Sequence, residues 1–378
     1  MKLVIFGLTV SSSWGNGHAT LWRGLWRALA RRGHSIVFFE KDVPYYAGAH
    51  RDVTELPGGE LILYPDWPSV LPLAERHLAD ADVAMVTSFC PDGAAACDLV
   101  LNEGVPVTSF YDLDAPVTFD TLERGEPVPY LPKGGLADFD LVLSYTGGPA
   151  LEALRTRLGA RGLVAPLYGH VDPDAHHRVE PVAAYRCDLS YLGTYAADRQ
   201  PLVEKFLVEP ARRLPHRRFV IGGAQYPQDF PWTDNTFFVR HMPPPEHPAF
   251  YSSSRLTLNV TRKAMAASGW CPSGRLFEAA ACACPVLSDT WPGLSEFFTP
   301  GDEILIAETT DHAVAAIDAS DEELSRIGQA ARQRVFDEHT STHRAMEFEQ
   351  LVERVTSCER RDERFGESHV AQRGVVTS

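Results

Sequence analysis

Positive charge is in short supply in this 378-residue chain: 35 Lys and Arg stand against 50 Asp and Glu, a formal net charge of −15. That balance excludes a non-specific binder of nucleic acid or of an anionic membrane surface, although a few local cations and backbone amides still suffice to hold a small phosphorylated molecule. Cysteine is scarce, seven residues scattered over the whole length. An odd, dispersed set is no disulfide framework and fits a reducing cytoplasm. Long apolar runs are missing too. The longest uncharged ones, Leu3–Val10 and Ala279–Leu287, fall far short of the roughly 20 residues that a membrane span needs. Met1-Lys2 and the apolar run behind it imitate the front of a secretion signal, but SSSWGNGH follows without a small-x-small cleavage pattern. The run reads instead as a buried first strand. Apolar residues make up 44% of the chain, which excludes wholesale disorder, and no internal repeat or low-complexity block is present.

What is there is alternation. KLVIFGLT is continuously apolar, as a strand covered on both faces should be. After a Gly/Ser loop, Leu21, Leu25 and Leu29 recur every four residues beside Trp22 and Trp26, one apolar helical face; Gly33 ends that helix and Ser35–Phe39 is the second strand. ELILY, DVAMVTS, PVTSFYD and DLVLSYT continue the series. The Pro- and His-rich stretch between Val164 and Arg186 reads as an interdomain crossover. The alternation then restarts with DLSYLGT, a helix over Pro201–Leu214, and the strands RRFVIGG, TFFVRH, RLTLNVT, PVLSD and EILIAE, with helices over Gly274–Cys282 and Asp321–Val355. Alternating strands and helices give parallel, doubly wound sheets. The expectation is two Rossmann-like α/β domains in tandem, 1–165 and 187–355, joined by a crossover over 166–186 and followed by a polar tail, 356–378.

Chemistry concentrates at predicted strand ends, where open α/β sheets bind ligands. In the loop after the first strand, Gly15, Asn16 and Gly17 let a phosphate or sugar approach the start of the first helix; the same glycines equally serve a plain turn. Thr20 occupies the place of the third glycine of a dinucleotide fingerprint, which counts against a nicotinamide dehydrogenase. His18 is a candidate general base, with Asp112 or Asp114 of FYDLDAP to orient it, or else a helix-start residue bonded to its loop. Asp112-Leu113-Asp114 also has the form of a D-x-D metal motif, but supplies too few ligands for one, so no metal is expected. In the second half Gly193-Thr194-Tyr195 follows a strand with Arg199 behind it. Gly222 follows the next strand, and Arg262 and Lys263 the one after. Ser273, Gly274 and Arg275 then open a helix with Glu278 one turn in. Each alone is ordinary turn or cap chemistry. Together, an anion-binding helix start, nearby cations and a carboxylate able to accept two hydroxyls suit a ribose diphosphate. Cys282 and Cys284 read as small buried residues, and His176, His177, His241 and His247 lack the spacing of metal ligands. Trp14 and Trp270, beside glycines, are placed to stack on a base or sugar.

These residues resemble a GT-B glycosyltransferase. FEAAACACPVLSDTWPGLSEFFTPGDEILI is similar to the donor-binding stretch of the retaining glycosyltransferase family 4, and Gly193 to Arg199 to its phosphate loop. GHVDPDAHH resembles its short motif before the second domain. SYLGTYAADR, LNVTR, PSGRLFEAAAC and the opening SSSWGNGHATLWR with VFFEKDVPYY resemble the CgeB-like (spore-maturation-protein-like) group, over most of residues 1–350. The resemblance implies two domains facing a central cleft, Glu278 on the nucleotide ribose, and transfer of a sugar from a nucleoside-diphosphate sugar to a small-molecule or cell-surface-precursor acceptor. Trp270 stands where family 4 carries a second Glu, Ala283 replaces a glycine and Thr194 an arginine, so sugar and stereochemistry do not carry over. The expectation is a cytoplasmic, metal-independent glycosyltransferase without cofactor, nucleic-acid partner or membrane segment. A nucleotide-sugar epimerase and a catalytically degenerate nucleotide-sugar-binding protein are the alternatives.

Overall fold

The computed structural model describes residues 1–373 apart from Gly15 and Ala49, and side chains up to 357 apart from Ala47. Apolar strands covered on both faces assemble into two parallel sheets. The first has seven strands: β1 (Lys2–Gly7), β2 (Ser35–Lys41), β3 (Gly59–Tyr64), β4 (Val83–Thr87), β5 (Val107–Asp112), β6 (Leu141–Ser144) and β7 (Leu163–Pro166). Their order is β3-β2-β1-β4-β5-β6-β7. The second has six: β8 (Leu189–Leu192), β9 (Phe219–Gly223), β10 (Thr236–Arg240), β11 (Thr257–Asn259), β12 (Val286–Ser288) and β13 (Leu305–Ile306), in the order β10-β9-β8-β11-β12-β13. Each order reverses beside its first strand, at β1/β4 and at β8/β11, and such a switch point opens a crevice at the carboxyl ends of the strands. Among the described residues no helix is long and apolar enough to cross a membrane.

All twelve strands expected from the sequence form. The thirteenth, β7, is only four residues long and runs from the end of the expected first domain into the stretch read as crossover; pairing with β6, Leu141 against Leu163 onward, makes it a strand. Leu25 and Leu29 of the first helix, His18–Arg31, are buried with Trp22 and Trp26 against the first sheet, as their spacing requires.

The segment read as one helix over 321–355 is two, Asp321–Glu338 and Ser341–Arg373. The break is tertiary in origin. Val171 of the crossover donates its N–H to the His339 carbonyl (3.0 Å) and accepts from the Ser341 N–H (2.7 Å), and a helix running through these residues would have to give up both. The chain then turns back to the first half. Ala345, Phe348, Leu351, Val352 and Val355 join the core made by the first helix, β1, β2 and β4 to β6, and Glu349 accepts from Arg32 (2.6 and 2.7 Å) and His34 (2.6 Å). Residues 341–355, read with the second half, thus pack on the first. The helix itself continues to Arg373, beyond the point where the polar tail was expected.

Candidate functional site

The two switch points face one another across a cavity of about 370 Å³. The first half lines it with the loop after β1, the start of the first helix, Leu113 after β5 and Tyr145 after β6. The second half supplies Gly193, Thr194 and Arg199 after β8, Gly223 after β9, Thr261 and Arg262 after β11, and Ser273, Gly274, Arg275 and Glu278 of the helix Gly274–Ala281.

That helix start is built to meet a ligand. Ser273 makes no side-chain cap, so the first amides keep their hydrogens for a ligand, with the positive end of the dipole behind them. Gly274 has open space where a β-carbon would stand. Arg275 donates to the Leu192 carbonyl (2.5 Å) and to Asn259 Oδ1 (2.9 Å), which fixes its guanidinium at the cavity wall. Gly193 leaves room for it: a β-carbon would lie 2.9 Å from Arg275 Nη2 and push the guanidinium aside. Arg199 donates to the Thr194 carbonyl (2.7 Å) and keeps a buried Nε without partner; burial, and then the neighbouring Arg275 and Arg262, lowers its pKa, as desolvation and like charge do for a cation.

Glu278 stands one turn in, and two histidines set aside from their spacing converge on it. His176 Nε2 lies 3.9 Å from one carboxylate oxygen and His247 Nδ1 3.7 Å from the other. Burial alone would raise the carboxyl pKa; the histidines and Arg275 outweigh it and hold Glu278 at about 2. The three groups lie within 4.8 Å of one another and are the cluster that could hold a metal ion among the described residues. Nothing in the spacing of residues 176, 247 and 278 signals the cluster, because the crossover, one helix start and another helix each contribute a single member.

The loop after β1 is shaped from outside. Glu40, buried at the end of β2, accepts from the Thr9 hydroxyl (2.8 Å), the Val10 N–H (2.8 Å), the Ser11 N–H (3.0 Å) and the Ser11 hydroxyl. Sequence reasoning missed this positioning residue; its one signal was a carboxylate closing an apolar strand. Asn16 accepts from the His18 N–H (3.1 Å) and donates to the Thr9 carbonyl (3.3 Å). Asn16, Gly17 and His18 line the cavity; Gly15, expected with them, lies outside the described residues. Burial lowers the pKa of His18 to about 4, so its imidazole is neutral near pH 7, with a buried Nδ1 that has no partner.

Several expected site residues are elsewhere. Asp112 does not orient His18. Its carboxylate turns into its own loop, accepting from the Asp114 N–H (3.0 Å) and the Thr118 hydroxyl (3.2 Å), and it does not reach the cavity lining. Tyr195 packs on Tyr226, Gly222 is buried within β9 while its neighbour Gly223 reaches the cavity, and Lys263 points to solvent. Of the two tryptophans, Trp14 lines the cavity and stacks on His50. Trp270 does not line it: the indole sits where β-carbons of Gly148 and Gly293 would come within 2.5 and 2.6 Å, and its N–H donates to Glu296 (2.6 Å).

Trp270 belongs to a strap that ties the helix start to the other half. The Gly147 N–H donates to the Trp270 carbonyl (3.0 Å), the Thr146 hydroxyl to Cys271 Sγ (3.2 Å) and the Tyr145 hydroxyl to the Pro272 carbonyl (2.6 Å). Ser273 follows directly, so the position of the anion-binding helix start depends on both halves.

Residues 199–350 match the model of a family described as glycosyl transferase-like. No curated protein matches the chain. Among solved structures, sucrose-phosphate synthase from Thermosynechococcus elongatus superposes with a TM-score of 0.70 at 14% identity, covering 95% of this chain and 100% of that one. HepE of Anabaena, solved with UDP and glucose, gives 0.63 at 12% identity over 93% and 99% of the two chains. An α-glucosyltransferase in complex with UDP and a 13-mer DNA gives 0.66 at 12%, again over 93% and 99%. Two parallel α/β sheets, each with its switch point on a shared cavity, and superposition along nearly the whole of these chains make the fold of this protein GT-B.

Proposed function

We propose that this chain is a glycosyltransferase that takes a sugar from a nucleoside-diphosphate donor. The observation that carries the reading is the convergence, in one cavity, of an uncapped helix start at 273–275, the cations Arg199, Arg262 and Arg275, and the ionised Glu278. The helix amides and guanidiniums hold the diphosphate, and Glu278 accepts hydrogen bonds from the ribose hydroxyls. Stabilising the diphosphate as it leaves is electrostatic catalysis, commonly the largest single term in such a reaction. Arginines and the helix dipole do this without a metal or cofactor.

The family match over 199–350 falls on these donor residues, and HepE and the α-glucosyltransferase were solved with UDP. The acceptor enters from the first half, past Asn16 to His18. If transfer inverts the anomeric centre, the neutral His18 imidazole takes the acceptor proton. The surplus of acid over base in the whole chain argues for an acceptor other than a nucleic acid.

The test is thermal stability with UDP, GDP, dTDP, CDP and NAD, each with and without EDTA. A ligand at 100 times its dissociation constant adds about 2.7 kcal/mol. The expected outcome is stabilisation by one nucleoside diphosphate, unchanged by EDTA. Stabilisation by NAD alone, or by none of the five, overturns the reading; an EDTA-sensitive response overturns metal independence and turns attention to His176, His247 and Glu278.

A further inference from the structure

We infer that His176, His247 and Glu278 form a binding site for a divalent transition-metal ion of the zinc class, and that the bound ion excludes the donor nucleotide. The exclusion rests on the donor reading above; the site rests on geometry alone. One ligand atom from each of the three residues lies within 4.8 Å of the other two. His176 Nε2 stands 3.9 Å from one Glu278 oxygen and His247 Nδ1 3.7 Å from the other. These separations are too long for hydrogen bonds. Ligand atoms held tetrahedrally at about 2.0–2.2 Å from a zinc ion lie about 3.3–3.6 Å apart. A contraction of a few tenths of an ångström on these two edges therefore seats an ion.

The electron pairs support the same guest. His247 Nε2 lies 3.2 Å from the Met242 carbonyl, which can only accept, so in the neutral ring Nε2 carries the hydrogen and Nδ1 presents a lone pair. That lone pair faces a carboxylate, an opposition that a cation between them relieves. The Met242 contact is also the kind of outer bond that orients a metal-ligating histidine. His176 is 3% exposed, and its Nε2 has no protein partner. Neither has the Tyr251 hydroxyl, buried one turn after His247 with the two ring centroids 6.4 Å apart. Buried polar atoms without partners are rare, and these gather beside one carboxylate. Two imidazole nitrogens and a carboxylate suit zinc, cobalt, nickel or copper, whereas magnesium and calcium take oxygen ligands. His247 and Glu278 line the cavity and His176 does not, so the ion sits in the cavity wall with its open position toward the cavity. There it holds the carboxylate oxygens that the ribose hydroxyls need. The ion is an antagonist of donor binding and takes no part in sugar transfer.

The experiment uses the full chain, stripped of metal with EDTA, desalted and titrated with Co²⁺, whose visible bands intensify when it leaves octahedral water for a four- or five-coordinate site. The expected result is one Co²⁺ per chain, displaced by Zn²⁺ and not by Mg²⁺. His247→Ala and Glu278→Gln, on different helices, should each weaken Co²⁺ binding about 10-fold or more, and His177→Ala, at the neighbouring exposed histidine, should leave it unchanged. Zn²⁺ should also raise the melting temperature of the parent, a readout that needs no variant. Absence of intensified bands, or bands undiminished in both His247→Ala and Glu278→Gln, overturns the site. Exclusion is read by calorimetric titration of the nucleoside diphosphate with and without Zn²⁺. Zn²⁺ should lower the apparent affinity about 10-fold or more in the parent and far less in His247→Ala, where chelation of Zn²⁺ by the diphosphate itself is the same. An equal loss in the two proteins overturns the exclusion. Failure of every nucleoside diphosphate to bind in EDTA overturns the donor reading and leaves the metal site standing.

Discussion

Glu278 is ionised although it is half-buried, because His176, His247 and Arg275 surround it. Replacing it by Gln keeps the shape and removes the charge-assisted part of two hydrogen bonds, about 1.5–3 kcal/mol. Glu278→Gln should weaken nucleoside-diphosphate binding 10- to 100-fold by calorimetric titration, and should also lower the melting temperature at pH 7, because the pairing that depresses the carboxyl pKa is lost with the charge. The opposite case is Asp114, 7% exposed at the carboxyl end of β5. Burial first, and then the charge of Asp112, raises its pKa from 3.8 to about 7. A raised carboxyl pKa means that the folded state prefers the protonated form. The stability it allows is therefore complete below the unfolded pKa near 4 and is lost as pH climbs to 7. Asp114→Asn should accordingly be more stable than the parent by about 2 kcal/mol at pH 8, with the gain shrinking toward zero at pH 4, in denaturant melts across that range. At this scale the sequence made Glu278, Arg199, Arg275 and His18 legible, because helix-start and strand-end chemistry is local. It left Glu40, His176 and His247 illegible, since each acts through a neighbour distant in the chain.

Among the elements, the strap 270–272 decides where the diphosphate helix sits. Trp270 adopts φ +45°, a left-handed conformation rare for a bulky residue, and two tertiary bonds hold it there, its N–H to Pro292 O (2.7 Å) and its carbonyl to the Gly147 N–H (3.0 Å). Gly148 is the residue that permits this packing. Its own φ is +55°, and a β-carbon there would stand 2.5 Å from the indole. Gly148→Ala combines backbone strain with overpacking, so it should cost about 3 kcal/mol or more. The check is the melting temperature together with the nucleotide affinity, and both should fall, because the strap runs straight into Ser273. Periodicity found the long apolar strands and the helix His18–Arg31, whose patterns are complete in themselves. It missed β7, too short to show a pattern, and the break at His339–Thr340, which bonds to Val171 impose.

Over the whole molecule the chain closes on itself. The helix from Ser341 returns to the first sheet and completes its core. Phe348→Ala should therefore destabilise by about 3–5 kcal/mol, although Phe348 follows the last strand of the first sheet by more than 180 residues. Limited proteolysis should show the loss in the first half, with protection falling around the first helix. The sequence by itself determined the class and the two-part plan, because hydrophobic alternation and strand-end glycines are local consequences of burying parallel strands on both faces. It also determined that no excess of positive charge is available for a large anionic partner. Only the tertiary structure decided that His176 and His247 meet Glu278, that Asp112 turns away from His18, that Trp270 braces the two halves and that the final helix belongs with the first sheet. Apart from the turn of Asp112, which its own loop makes, each of these is a contact between segments tens to hundreds of residues apart, fixed by which buried polar groups and apolar faces find partners when the halves pack, and no local pattern encodes that choice.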